Sequence, residues 1–323
     1  MKTMTKHQHL ENIISKALKL GPAHAAVAYP CNAFSVEAAA TAYHLGLILP
    51  IMVGPSDLIR FIANENRIDL GKIEFLDTGN DPIDAARASV ALCRDGRANL
   101  IMKGSLHTDE LLGTVVGKDS GMRTSRRISH AFVFDLPHYP KPLMMADCVV
   151  NVNPSLIEKR DIVQNAVDLA HALGVELPHV GILSAVETIN VAIPGTIDAA
   201  ALSKMAQRGQ ITGAVVDGPL AFDNAISQHA ASIKGIDSPV SGNCDILVLP
   251  DLEAGNMLYK QLIYLADAEC AGIVLGTKVP IVITSRADSP LSRVASCALA
   301  IVKAGAKRTR TLECITLAEK CAL

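Results

Sequence analysis

The chain has 323 residues, half of them hydrophobic, only 3% aromatic and none Trp, with a formal charge of −2. That length exceeds one typical core and points to two domains. The near-neutral balance leaves no electrostatic footprint for nucleic acid, and so few aromatics leave no base-stacking platform.

The N-terminal run MKTMTKHQHLENIISKALKL lacks the apolar core of a signal peptide; Leu10, Ile13, Ile14, Ala17 and Leu18 fall on one face of an amphipathic helix. The best apolar stretch, 271–284, is interrupted by Lys278, so no membrane span is expected and the cytoplasm is the expected compartment. Eight cysteines stand without a CxxC or a paired metal spacing and read as buried, reduced packing residues; no metal site is expected.

Short apolar runs alternate with helical patterns along most of the chain. Strands are expected at 24–29, 47–53, 73–76, 99–103, 148–152, 180–185, 211–216, 245–249, 272–275 and 280–284. Helices between them open at Ser35, at Asp81-Pro82, at the Ser155/Glu158 capping box, at Thr196 and at Ser289-Pro290. An Ala/Val/Leu/Ile interior in this rhythm suits parallel strands covered on both faces. The rhythm breaks at 128–149, where Pro137, Pro140 and Pro142 crowd a hairpin connection or linker, and a domain boundary is placed there. The fold class is therefore α/β, with two α/β domains of mainly parallel sheet: 1–138 plus about 275–323, and about 139–274. The return of the C-terminal segment to the first domain is an expectation.

Polar residues of a consistent kind collect where strands end. Lys103-Gly104-Ser105-Leu106-His107-Thr108 closes one strand with a charge, a small residue and two hydroxyls, a set suited to phosphate, though without Walker A spacing. Thr108 or Asp109 is expected to cap the next helix, and His107 is either a structural hydrogen-bonder or a base. Asp217 ends a strand before a Gly-Pro turn; Asp251 ends another and serves either a ligand or a helix N-cap. Thr284-Ser285-Arg286-Ala287-Asp288 ends the last strand and leads into a helix, placing a hydroxyl, a guanidinium and a carboxylate where ligands bind in open sheets. The cluster Arg123-Thr124-Ser125-Arg126-Arg127 is either a solvated face or a site for a polyphosphate-bearing substrate.

Five segments in order, KGSLHTDELLG, SRRISHAFVFDLP, VVDGPLAFDNA, VLPDLEAGNMLYKQLIYLA and AGIVLGTKVPIVITSRADS, resemble the phosphate acetyltransferase/phosphate butyryltransferase family. The resemblance implies an interdomain cleft, similar to that of the isocitrate/isopropylmalate dehydrogenase-like fold. It implies transfer of an acyl group between coenzyme A and inorganic phosphate, with coenzyme A as substrate, no cofactor and no metal, in a homodimer. Ser285, Arg286 and Asp288 would be catalytic; Lys103, Gly104, Ser105, His107, Thr108, Arg123, Arg127, Asp217 and Asp251 would bind substrate. Acetate-type members resemble SRGxxxxD, with the base at the eighth position. That position is Ser292 here, so Asp288 of the SRADS form is the nearest acid and the identity of the base is open. This departure moves the expected substrate from strict acetyl towards propionyl or butyryl groups. An acyl carrier protein:phosphate acyltransferase and a non-catalytic acyl-coenzyme A sensor are the alternatives; a sensor would have no use for Ser285, Arg286 and Asp288.

Overall fold

A computed structural model describes the backbone of residues 7–284 and 288–321, and the side chains of these up to residue 306. In chain order the elements are α1 (Gln8–Leu20), β1 (Ala23–Ala28), α2 (Ala33–His44), β2 (Ile48–Gly54), α3 (Ser56–Glu65), β3 (Glu74–Asp77), α4 (Pro82–Arg94), β4 (Leu100–Lys103), α5 (Thr108–Val116), β5 (Ser129–Asp135), β6 (Leu143–Ala146), α6 (Leu156–Leu173), β7 (His179–Leu183), α7 (Pro194–Gln207), β8 (Val215–Leu220), α8 (Phe222–Ile226), α9 (Gln228–Ile233), β9 (Ile246–Val248), α10 (Leu252–Leu265), β10 (Glu269–Leu275), β11 (Ile281–Val282) and α11 (Pro290–Cys321). The chain divides into two compact units, Glu11–Thr124 with Thr277 onwards, and Ser125–Gly276 with the residues up to Leu10.

In the first of these units the strands run β3-β2-β1-β4-β11, and the four pairings are parallel. β1 is Ala-His-Ala-Ala-Val-Ala with five of six residues buried, which is how a chain poor in aromatics builds a strand covered on both faces. Three caps expected from the sequence are present: Asp81 accepts from Ile83 N, Ser155 and Glu158 form their box, and Ser289 accepts from Ser292 N.

The second unit orders its strands β10-β5-β6-β9-β7-β8, with β5 antiparallel to both β10 and β6 and the other pairings parallel. Because β5 and β6 pair directly, the proline-rich segment 136–142 is a hairpin connection within one unit. The division between units falls at Thr124/Ser125 rather than at 138. Aromatic contacts gather in this core, where Tyr259 stacks on Phe132 at 4.3 Å and Phe134 is fully buried.

Three expectations are corrected. Residues 148–152 form no strand, because the Asp147 carboxylate gathers the backbone N–H groups of Val149, Val150 and Asn151 into a turn. The strand expected at 211–216 begins only at Val215, and it runs through Gly218-Pro219 to Leu220 instead of turning there. β8 is the last strand in its order, where the missing proline N–H is tolerated. On α1, Leu10, Ile13 and Ala17 are buried as expected but Leu18 is 44% exposed. The α1 N-terminus is held from a distance: Asp135 at the end of β5 accepts from His9 N at 2.7 Å and Leu10 N at 3.2 Å.

His130 on β5 is fully buried against Phe132, with no partner for Nδ1, and burial pushes its pKa down from 6.5 to about 3. The unfolded chain therefore binds a proton that the folded chain refuses between pH 6.5 and 3. Stability from this group is complete above pH 6.5 and falls with pH below it. At pH 5 the loss is about 2 kcal/mol. Urea unfolding at pH 7 and pH 5 should show the wild type losing about that much more than His130→Leu; equal losses would contradict a buried neutral imidazole.

Candidate active site

The chain leaves β1 towards β2 and β3 on one side and later lays β4 and β11 on the other, so the strand order reverses between β1 and β4. In open α/β sheets the crevice outside the carboxyl ends of strands at such a reversal is where ligands bind. A pocket of about 190 Å³ lies there. It is lined by Asn32, Phe34 and Ser35 at the start of α2, by Lys103–Thr108 between β4 and α5, and by Thr284 just past β11.

Each lining group has a traceable position. The Lys103 ammonium curls over its own loop and donates to Leu106 O at 2.9 Å and Gly104 O at 3.3 Å. Gly104 is required by the neighbouring strand: a Cβ there would fall on the carbonyl oxygens of Ala28 and Tyr29. The Ser105 hydroxyl is committed to the same seam, donating to Tyr29 O at 2.9 Å and accepting from Cys31 N at 3.1 Å. Helix α5 starts at Thr108 with His107, not Thr108 or Asp109, as its N-cap residue, and Glu110 accepts the His107 N–H at 2.8 Å. Asn32 caps α2 by accepting from Ser35 N at 2.8 Å.

Among the described residues the pocket lining thus brings two helix N-termini and one ammonium and no carboxylate. Orphan N–H groups and the positive ends of two helix dipoles favour an anion with several acceptor oxygens. Cys31 is adjacent, but burial pushes its thiol up to about 11, so it is not a thiolate nucleophile at neutral pH. Cys93, Cys244 and Cys297 are pushed to about 12 by the same cause.

Residues 81–301 match the model of the family described as Phosphate acetyl/butaryl transferase. The chain belongs to this family. It is 55% identical over 298 residues to a phosphate acetyltransferase of Rhizobium meliloti, covering 92% of this chain and 94% of that one. It is 43% identical over 272 residues to a phosphate butyryltransferase of Clostridium acetobutylicum, covering 84% and 90%. A branched-chain phosphotransacylase from Enterococcus faecalis V583 superposes with a TM-score of 0.76 at 28% identity, covering 87% of this chain and 99% of that one.

Of the residues that the family resemblance singles out, Lys103, Gly104, Ser105, His107 and Thr108 meet in the pocket. Ser285 and Arg286 lie outside the described residues, between Thr284, which lines the pocket, and half-buried Asp288. Ser292 is buried in the first turn of α11, where its N–H is capped by Ser289. Arg123 is exposed and bridges to Thr277 in the same unit as the pocket, but it is not in the pocket lining. Arg127 belongs to the other unit, with Nε donating to Asn151 Oδ1 at 2.8 Å and Nη1 at 3.2 Å from Glu158 Oε1; Arg126 pairs with Asp168 at 2.6 Å. The basic cluster is therefore shared between two units, and two of its guanidiniums are already paired with α6 carboxylates.

Asp217 and Asp251 belong to that other unit too. Asp217 sits within β8 and accepts from Gly218 N at 2.8 Å; Asp251 caps α10 by accepting from Ala254 N at 2.9 Å. The helix N-cap expected as one reading of Asp251 is present. The sequence reading missed Asn32, Phe34 and Ser35, although Pro30-Cys31-Asn32 after an apolar strand is the same strand-end, N-cap construction. It also missed Arg293, whose guanidinium carbon lies 4.3 Å from the centroid of the Phe34 ring.

Proposed function

We propose that the protein converts a short-chain acyl-coenzyme A and inorganic phosphate into acyl phosphate and coenzyme A, and the reverse. The observation that carries this reading is the pocket at the β1/β4 reversal, with Lys103 and the N-termini of α2 and α5 around a space that can hold a phosphate, and with no carboxylate among its described lining residues, in a member of this family. In the forward direction a phosphate oxygen attacks the thioester carbonyl, and the tetrahedral centre collapses to expel the coenzyme A thiolate, which takes up a proton. In the reverse direction the thiolate attacks the acyl phosphate and phosphate leaves.

Lys103, the Thr108 hydroxyl and the helix N–H groups hold phosphate. Ser285 and Arg286, on the segment that follows Thr284, stabilise charge on the phosphate and the tetrahedral centre. Asp288 serves as base for a thiol whose unperturbed pKa is about 8.5 if it behaves like Cys. Arg123 and Arg127 take the phosphates of coenzyme A. Asp217 and Asp251 hold backbone N–H groups and have no part in this scheme. Acetyl and butyryl groups are both substrates, the first on the name of the 55% relative and the second on the SRADS form.

The protein works in the cytoplasm as a homodimer and needs no metal. Free thiols at Cys31, Cys93, Cys148, Cys244, Cys270 and Cys297 suit a reducing compartment, and the exposed Met257, Tyr264 and Leu265 of α10 suit burial by a second copy. Among the described residues no helix is long and apolar enough to cross a membrane.

Thioester loss tests the reading. Acetyl- or butyryl-coenzyme A should be consumed only when phosphate or arsenate is added, at a rate unaffected by chelator. Equal loss without phosphate would make the protein a thioesterase, and turnover only from an acyl carrier protein would move it to the neighbouring acyltransferase class.

A further inference from the structure

Among the pocket's lining residues the apolar side chains are Phe34 and Leu106; the others bring hydroxyls, amide, imidazole, ammonium or bare backbone. Leu106 is 3% exposed and serves the core, whereas Phe34 is half-buried and offers ring surface to the space. An aromatic placed in the first turn of α2, where orphan N–H groups bind the anion, puts an apolar wall beside the phosphate. On an acyl phosphate the group within reach of that wall is the acyl chain.

The ring is itself held. Arg293, one turn into α11, lays its guanidinium over Phe34, and among the described residues it forms no ion pair. A cation on the ring face fixes the ring plane from the side.

We infer that Phe34 is the specificity-determining wall for acyl-chain length, and that Arg293 is the positioning residue that holds its ring. The inference rests on the acyl transfer proposed above. The ring bounds the pocket on its side and so limits how many methylenes fit, and a pocket discriminates about tenfold or more per methylene. Cutting the ring away enlarges the pocket there without removing a phosphate-binding group.

The test compares kcat/KM for acetyl-, butyryl- and hexanoyl-coenzyme A, with phosphate as co-substrate, in the wild type, Phe34→Ala, Phe34→Leu, Arg293→Ala and Arg293→Lys. Phe34→Ala should raise the hexanoyl-to-acetyl ratio by about tenfold or more, with Phe34→Leu between it and the wild type. Arg293→Ala should move the ratio the same way by less, and Arg293→Lys should restore part of the wild-type value. The KM for phosphate should stay within about twofold, since a uniform change there would mark a phosphate role instead. If Phe34→Ala fails to fold, Phe34→Leu and Arg293→Ala carry the comparison. An active wild type with unchanged ratios in these variants overturns the inference alone. A wild type that transfers no acyl group to phosphate overturns the proposed function, and this inference with it.

Discussion

Arg286→Ala should lower kcat by on the order of 100-fold or more, the effect of losing one preorganised donor to a developing oxyanion. Arg286 lies two residues past Thr284, at the pocket, and three before Ser289, which caps α11. Thr284 at the pocket and Ser289 at the α11 cap are described residues that flank Arg286 in sequence. A guanidinium presents parallel N–H donors in a fixed planar fork that matches two phosphate oxygens, a geometry an ammonium lacks. Arg286→Lys should therefore recover only part of the rate, with Tm unchanged in both variants. A change confined to the KM for phosphate would show binding shared equally by ground and transition states. Wild-type turnover in Arg286→Ala would remove the loop from the mechanism.

Gly104→Ala should cost about 3 kcal/mol of stability and most of the activity. The added Cβ meets two backbone carbonyls, of Ala28 and Tyr29, and neither can rotate away as a side chain would. The same carbonyls accept the Gly104 and Ser105 N–H groups at 2.8 Å, so moving apart breaks the seam that places Lys103. Gly113→Ala is the internal contrast. That glycine lies inside α5 with nothing within 4 Å of the added methyl, and the substitution should stabilise by about 0.5–1 kcal/mol. Urea titration of both variants checks the pair. Similar stabilities would contradict the close approach at Gly104.

Among the readings that rested on local chemistry several caps matched the structure, whereas α2, α5 and α7 start from Asn32, His107 and Ile193 instead of Ser35, Thr108 or Asp109, and Thr196. Asp81-Pro82, Ser155 with Glu158, and Ser289-Pro290 bind their own helix N–H groups, so the signal and the structure lie within four residues of each other. The strand-end loop 103–108 was legible for the same reason, though its glycine and serine face a neighbouring strand as much as a ligand. What the sequence hides is competition from afar. Val149 and Val150 have strand propensity, but Asp147 takes their N–H groups first. Gly218-Pro219 has turn chemistry, but at an edge strand the missing donor costs nothing. Phe34 and Arg293 stand 259 positions apart, and only the packing of α11 beside α2 brings them together.

The central claim is that the acyl group leaves sulfur for phosphate, and the product itself is its most direct test. With acetyl-coenzyme A, phosphate and chelator, phosphorus NMR with parallel thiol titration should find one acetyl phosphate formed for each coenzyme A thiol released. Thiol release accompanied by free acetate and no acyl phosphate would contradict it.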